Sequence, residues 1–445
     1  MFAINGYLIL VLVVAAYGLA VYGLYRAGFI GADRSLSLLG PALMIKTRRG
    51  RAALDRWGRF RRFWSAAGDF GILLAAVSMV AMIGLLLLDA YVSLSLSAAQ
   101  APTPQEALGL PGINPIIPIG YGIVALVVGI VLHELMHGVL ARSQKVGVKS
   151  LGILWCVVPI GAFVEQDDEE MQRASRRSRD RIAAAGILAN FVLAAVFFLL
   201  LAALLNGGIA PNAPGVGVVQ VVAHSPAANA SLAPGDIITA VNGTPITSTL
   251  EFENLLAASY PHEVVTVGFY SNAAGRVVTE RVPLAQNPTN ATRGFLGVAV
   301  NYLTPAQLKA TLVSPLTSAA TPEAGLVNWL VLPLATLEPV AAPTTGFFHL
   351  TGIWASTDPG SFWIGANLLY WLSWMNLLLG ASNALPLIPL DGGLLVRDYA
   401  AALMGRLRKG WSTARLDDFG GRVAVTASLV VVLLIVWQFI VPRLG

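Results

Sequence analysis

Residues Tyr121–Arg142 read YGIVALVVGIVLHELMHGVLAR, and the rest of the chain is best understood from this stretch. It is apolar enough and long enough for a membrane helix, yet it carries His133, Glu134 and His137 near its end. Positions i and i+4 of a helix lie one turn apart on one face, so the two imidazoles can hold a metal ion between them. Glu134 follows the first histidine and can reach a water bound to that metal. This is the His-Glu-x-x-His spacing of zinc hydrolases. Its flanks of Val, Leu and Ile are unlike the water-facing cleft helix that carries the pattern in soluble enzymes. A lone histidine on an apolar helix is usually a hydrogen-bonded packing residue. The chain has only five histidines, however, and ionisable groups inside a membrane helix are costly and tend to mark function.

Composition supplies the surroundings. Of 445 residues, 56% are hydrophobic and 12% charged, against about 25% charged in soluble domains. A polytopic α-helical membrane protein follows, with membrane lipid as its immediate partner. The basic residues stand in loops beside apolar segments, where the positive-inside rule accounts for them, so the charge implies no nucleic acid. The single Cys156 excludes an internal disulfide and a cysteine-based zinc finger.

Working outward, residues 1–115 form an N-terminal region with spans at about 4–25 and 69–95 and a basic loop between them. Residues 116–211 hold the His-Glu helix (116–141), a Gly/Val/Ile-rich segment (146–165) and a further span (182–206). The 146–165 segment is too broken for a spanning helix and reads as a hairpin or re-entrant element, which must pack against protein if it lies at membrane depth. Residues 212–300 change character. Short β-rich runs alternate with turn signals such as Asn242-Gly243, and Thr249 can cap a helix through Ala258. This reads as a small α+β domain inserted between spans. Residues 301–361 form a linker. Within it Leu326–Leu337, flanked by Glu323 and Glu338, is too short to span and reads as interfacial. Residues 362–398 return to the helical core with a span at 362–390, and 399–445 add a basic loop and a final span at 423–441.

Three basic loops hold 24 of the 29 Lys and Arg, whereas residues 207–361 hold four. The positive-inside rule then puts those loops in the cytoplasm and the insert outside the membrane. Six spans satisfy the alternation, and the His-Glu motif lies toward the cytoplasmic end of its helix.

Two zinc-binding histidines need a third protein ligand that leaves one position for water. The span at 362–390 leads into NALPLIPLDGG, and its direction brings Asp391 to the depth of His133 and His137. The di-glycine after Asp391 lets backbone approach a neighbour closely. Asp391 could instead be a solvated aspartate capping the next helix. In AAGILANFVLAA (183–194), Gly186 and Asn190 lie one turn apart. Asn190 could meet a substrate carbonyl or simply bond helix to helix.

With these motifs in place, the chain resembles the site-2 protease family of intramembrane zinc metalloproteases. The match rests on HELMH at 133–137, Gly186 with Asn190, and Asn383-x-x-Pro386 leading to Leu390-Asp391-Gly392-Gly393. The insert resembles a PDZ domain, most specifically in SPAANASLAPGDIITAVNGTPI at 225–246. The resemblance spans about 116–443 and leaves the first two spans outside it. Ile187 departs from the proline many relatives carry there, which leaves open whether the helix kinks. The resemblance implies one catalytic Zn2+ on His133, His137 and Asp391, with Glu134 as acid–base catalyst. It implies Asn190 and Asn383 as substrate-positioning groups and transmembrane proteins as substrates, cleaved near the cytoplasmic face. A PDZ-like groove would use the backbone of Gly215, Val216, Gly217, Val218 and Val219 to receive a peptide strand or C-terminus. The expected location is a prokaryotic cell membrane. Two rival readings are a metal or ion transporter, which would tolerate loss of Glu134, and an inactive relative that binds membrane proteins through the insert.

Overall fold

The computed structural model describes residues 6–31, 34–106, 109–156, 158–336 and 340–444. It divides into two compact units, one of residues 1–115, 122–194 and 375–445, the other of 116–121 and 195–374. Along the chain the helices are α1 (Gly6–Arg26), α2 (Arg51–Gly58), α3 (Arg61–Val92), α4 (Ile119–Ser143), α5 (Asp168–Arg173), α6 (Arg176–Gly208), α7 (Pro226–Asn229), α8 (Thr249–Ala257), α9 (Pro305–Val313), α10 (Pro322–Thr336), α11 (Pro359–Asn383), α12 (Asp391–Leu407) and α13 (Thr413–Ile440). Five of them, α3, α4, α6, α11 and α13, are long and apolar enough to cross a membrane, and α1 is apolar over Leu12–Arg26. Each of the six apolar segments read from the sequence is therefore centred on a helix, although α11 ends at Asn383, short of the expected 390, α3 ends at Val92 and α4 begins at Ile119. Several helices outrun the expected bounds, because arginine is a good helix former and the helix continues where the apolar run stops. Residues 4 and 5 of the first expected span, like Leu337 and Glu338, lie outside the described residues. Helix α6 is continuous through Ile187.

In the first unit, four antiparallel strands form a sheet in the order β1 (Leu36–Leu39), β2 (Ala42–Thr47), β3 (Val148–Cys156), β4 (Val158–Gln166). The hairpin at 146–165 is the β3–β4 half. The β1–β2 half lies in what the sequence suggested was only a basic loop, where Gly40-Pro41 separates two short apolar runs. Tyr17 of α1 joins the two halves near their tips. Its hydroxyl is 2.8 Å from Pro41 O and 2.8 Å from Trp155 O, and it accepts from Leu43 N at 3.2 Å. Helices α3 and α6 are clamped by Asp69, which pairs with Arg177 at 2.9 Å and Arg181 at 2.7 Å. The third basic loop is mostly helical, since α12 begins at Asp391 and packs along α13.

In the second unit the strands are β5 (Ile209–Pro211), β6 (Val216–Val221), β7 (Ile237–Val241), β8 (Thr244–Pro245), β9 (Val264–Ser271), β10 (Arg276–Pro283), β11 (Ala285–Gln286), β12 (Gly294–Phe295), β13 (Val298–Val300) and β14 (Phe348–Leu350). The main sheet runs β10-β9-β7-β6-β13, with β8 on β7. Its core gathers Val218, Ile238, Phe252, Val267 and Phe269, all buried. Asn242-Gly243 turns β7 into β8 with φ of 50 and 78°. Ser248, not Thr249, caps α8 by accepting from Glu251 N. Helix α10 has 15 residues and contains Pro333; it is not among the helices long enough to span.

The expected groove at Gly215–Val219 is corrected by this sheet. Strand β6 lies between β7 and β13, so it has no free edge. Val218 N donates to Asp236 O, and Gly217 O accepts from Asn301 N, both at 2.8 Å. Gly217 is covered by the Phe347 ring, which a side chain there would overlap. The physical cause is that β13 returns alongside β6 and takes the hydrogen bonds a peptide would need.

Candidate metal centre

Helix α4 points His133 and His137 into the first unit, where both are buried. Two close approaches make room for them. A Cβ at Gly186 of α6 would overlap the His133 ring. At the other side, Gly392 and Gly393 let the start of α12 fold against the backbone of Ala384–Ile388, and a side chain at either would overlap it. This brings Asp391, 9% exposed, to the two imidazoles.

The three donor atoms form a nearly equilateral triangle. His133 Nε2 and His137 Nε2 are 3.2 Å apart, and Asp391 Oδ2 lies 3.3 and 3.4 Å from them. Tetrahedral ligands about 2.0–2.1 Å from zinc are separated by about 3.3 Å, so the triangle fits a zinc ion. Asp391 Oδ2 is buried and accepts no hydrogen bond, as an atom reserved for a cation would. The backs of the rings are also engaged. His137 Nδ1 lies 2.7 Å from Ile182 O. A carbonyl only accepts, so Nδ1 carries the proton and Nε2 presents its lone pair. Asn190 is fully buried, and its amide meets His133 Nδ1 at 3.1 Å.

Glu134 is half-buried, and its Oε2 accepts from Val164 N of β4 at 3.2 Å. It lines a cavity of about 410 Å3 together with His137, Asp391, Arg179, Asp180 and Asp398, so a polar space adjoins the His133–His137–Asp391 triangle. Asn383 is turned to its own helix, where its Nδ2 donates to Leu379 O at 3.0 Å near the end of α11.

Sequence reading missed two contributors. The Val164 N–H is a backbone group 30 residues from Glu134, and no residue type marks it. The second is a groove of about 440 Å3 in the second unit, between α8 residues Phe252 and Leu256 and the segment Gly294–Val300. It borders β13, the terminal strand of its sheet. The signal was the run Gly294-Phe295-Leu296-Gly297, apolar residues framed by glycines.

A His-Glu-x-x-His helix within a set of apolar membrane helices, completed by a buried aspartate, defines an intramembrane metallohydrolase. Residues 121–415 match peptidase family M50, and the chain belongs to that family; it is an intramembrane zinc metalloprotease. It is 25% identical over 353 residues to a protein of Methanocaldococcus jannaschii, covering 78% of this chain and 75% of that one. It is 27% identical over 260 residues to the zinc metalloprotease RasP of Bacillus licheniformis, covering 55% and 58%. A membrane-bound transcription factor site-2 protease homolog of Arabidopsis thaliana is 28% identical over 163 residues, covering 36% and 30%. Among solved structures, the PDZ domain of an SdrC-like protein from Listeria monocytogenes matches with 24% identity and a TM-score of 0.18, covering 19% of this chain and 86% of that one.

Proposed function

We propose that the protein hydrolyses peptide bonds within transmembrane segments of membrane-protein substrates, with one zinc ion on His133, His137 and Asp391. The observation that carries this reading is the triangle of 3.2–3.4 Å edges formed by their donor atoms. Zinc supplies Lewis acidity toward water and the scissile carbonyl. Glu134 takes a proton from the attacking water and delivers it to the leaving amine. The Val164 N–H holds its carboxylate in place between transfers. Ile182 O fixes His137, and an Asn190 amide with Oδ1 toward Nδ1–H would fix His133 in the same way. Geometry thus favours ring-holding over substrate contact for Asn190, whereas Asn383 keeps its proposed substrate role.

The substrate must unwind locally, because a helix engages its own carbonyls. Strand β4 is a terminal strand beside Glu134 and could pair with the unwound segment. The three basic loops face the cytoplasm in a multi-pass cell-membrane protein, and the insert faces outward. There the α8–β13 groove would receive a peptide strand or C-terminus.

The test is co-expression with tagged single-span proteins, comparing fragments from the parent and from Glu134→Gln. Fragments that need Glu134 support the reading; identical fragments from both overturn it.

A further inference from the structure

The four-stranded sheet of the first unit is polarised along its strands. Its hairpin tips carry exposed apolar side chains, Leu38, Leu39 and Trp155. Its open end is basic. A cavity of about 840 Å3 there is lined by Arg34, Lys46, Arg48, Arg49 and Lys149, with Glu165 as the one acidic side chain among the described lining residues. Lys46 pairs with Glu165 at 3.2 Å, and Lys149 with Asp168 at 3.2 Å. Arg34, Arg48 and Arg49 make no ion pair with a carboxylate among the described residues. Among the described residues, the cavity therefore holds three cations beyond those that Glu165 and Asp168 balance.

Two independent rulers give the height of this cavity in a membrane. Four residues of β2 separate Lys46 from the tip at Ala42, about 13 Å at 3.3 Å per residue. On α1, nine residues separate Tyr17, which holds both tips, from Arg26, about 13 Å at 1.5 Å per residue. A hydrocarbon leaflet is about 15 Å deep. If Arg26 ends the first span at the interface, the apolar tips lie near mid-membrane and the basic cavity lies at the level of the lipid phosphates.

We propose that this cavity is a binding site for the headgroup of an anionic phospholipid, with Arg34, Arg48 and Arg49 contacting the phosphate. The depth argument rests on the membrane reading of the proposed function, and lipid binding is separable from catalysis. Glu165 borders both this cavity and the one beside the metal ligands. It follows Val164, whose N–H holds Glu134. Lys46, through Glu165, thus lies one residue along β4 from the N–H that holds Glu134.

The experiment uses the full chain carrying Glu134→Gln, which removes turnover from the readout. It is reconstituted in neutral phosphatidylcholine bilayers doped with phosphatidylglycerol, and retained lipid is measured by mass spectrometry. Each arginine near an anionic surface is worth about fivefold in affinity. Arg34→Gln/Arg48→Gln/Arg49→Gln should therefore lower phosphatidylglycerol retention by about a hundredfold. Arg406→Gln/Arg408→Gln/Lys409→Gln, in a different basic region, should leave it unchanged. Equal losses in both triple variants would reduce the effect to diffuse charge and overturn the site. Unchanged retention in the first variant, with zinc content equal to the parent's, would overturn it as well. Displacement of the lipid by millimolar inorganic phosphate would assign the cavity to a free anion instead. A parent that retains phosphatidylglycerol but cleaves nothing would leave the site standing and remove the protease reading.

Discussion

At the residue scale, the proposed mechanism separates groups that would hold metal from a group that would move protons. Glu134 touches Val164 N, and its donor atoms are not part of the ligand triangle. Glu134→Gln should therefore keep zinc at the parent's level while cleavage falls by about 10²–10⁴-fold; metal analysis beside fragment quantification checks both. Asn190→Ala removes the group behind His133 without removing a ligand. Zinc affinity should drop about 10–100-fold, read by competition with a chelator. Unchanged affinity with lost cleavage would return Asn190 to the substrate side. The histidines and Glu134 were legible because helical spacing is local. Asp391 was legible because its glycines mark a close backbone approach. The ring contacts of Ile182 and Asn190 were not, since a carbonyl or an amide in an apolar helix looks the same whether it faces lipid or a ligand.

At the element scale, β4 carries the backbone N–H that Glu134 accepts. Val164→Pro would delete the N–H that Glu134 accepts, and Val164→Ala would keep it. Cleavage should fall at least about tenfold more with proline than with alanine, with zinc retained in both. The insert is an independent matter of packing. Ile238 is fully buried among Val216, Phe252 and Phe269, so Ile238→Ala should destabilise the insert by about 2–5 kcal/mol. Limited proteolysis within 212–300 would show the loss. The helices were readable as elements because each is a long apolar run. The β1–β2 hairpin was hidden because its runs of four and six residues sit among arginines, and charge dominated the reading. The lack of a free edge on β6 was not legible because pairing between β6 and β13, about 80 residues apart in sequence, leaves no local trace.

At the scale of the whole molecule, the distribution of charge predicts sidedness. A cysteine at the exposed position Ala274, in a Cys156→Ser background, should react with an impermeant thiol reagent on intact cells, and native Cys156 should not. The reverse pattern would invert the topology. The residues of the proposed zinc site also lie far apart along the chain, with Asp391 about 250 residues after His137. At about 5–20 residues per second of synthesis, the two histidines leave the ribosome some 10–50 s before the aspartate that completes their triangle. The α13 helix follows only afterwards. A nascent chain passing through the insertion machinery, surrounded by the membrane segments of other newly made proteins, thus carries its histidine pair without the means to close the site. The order of the sequence keeps the proposed site open until Asp391 has been made.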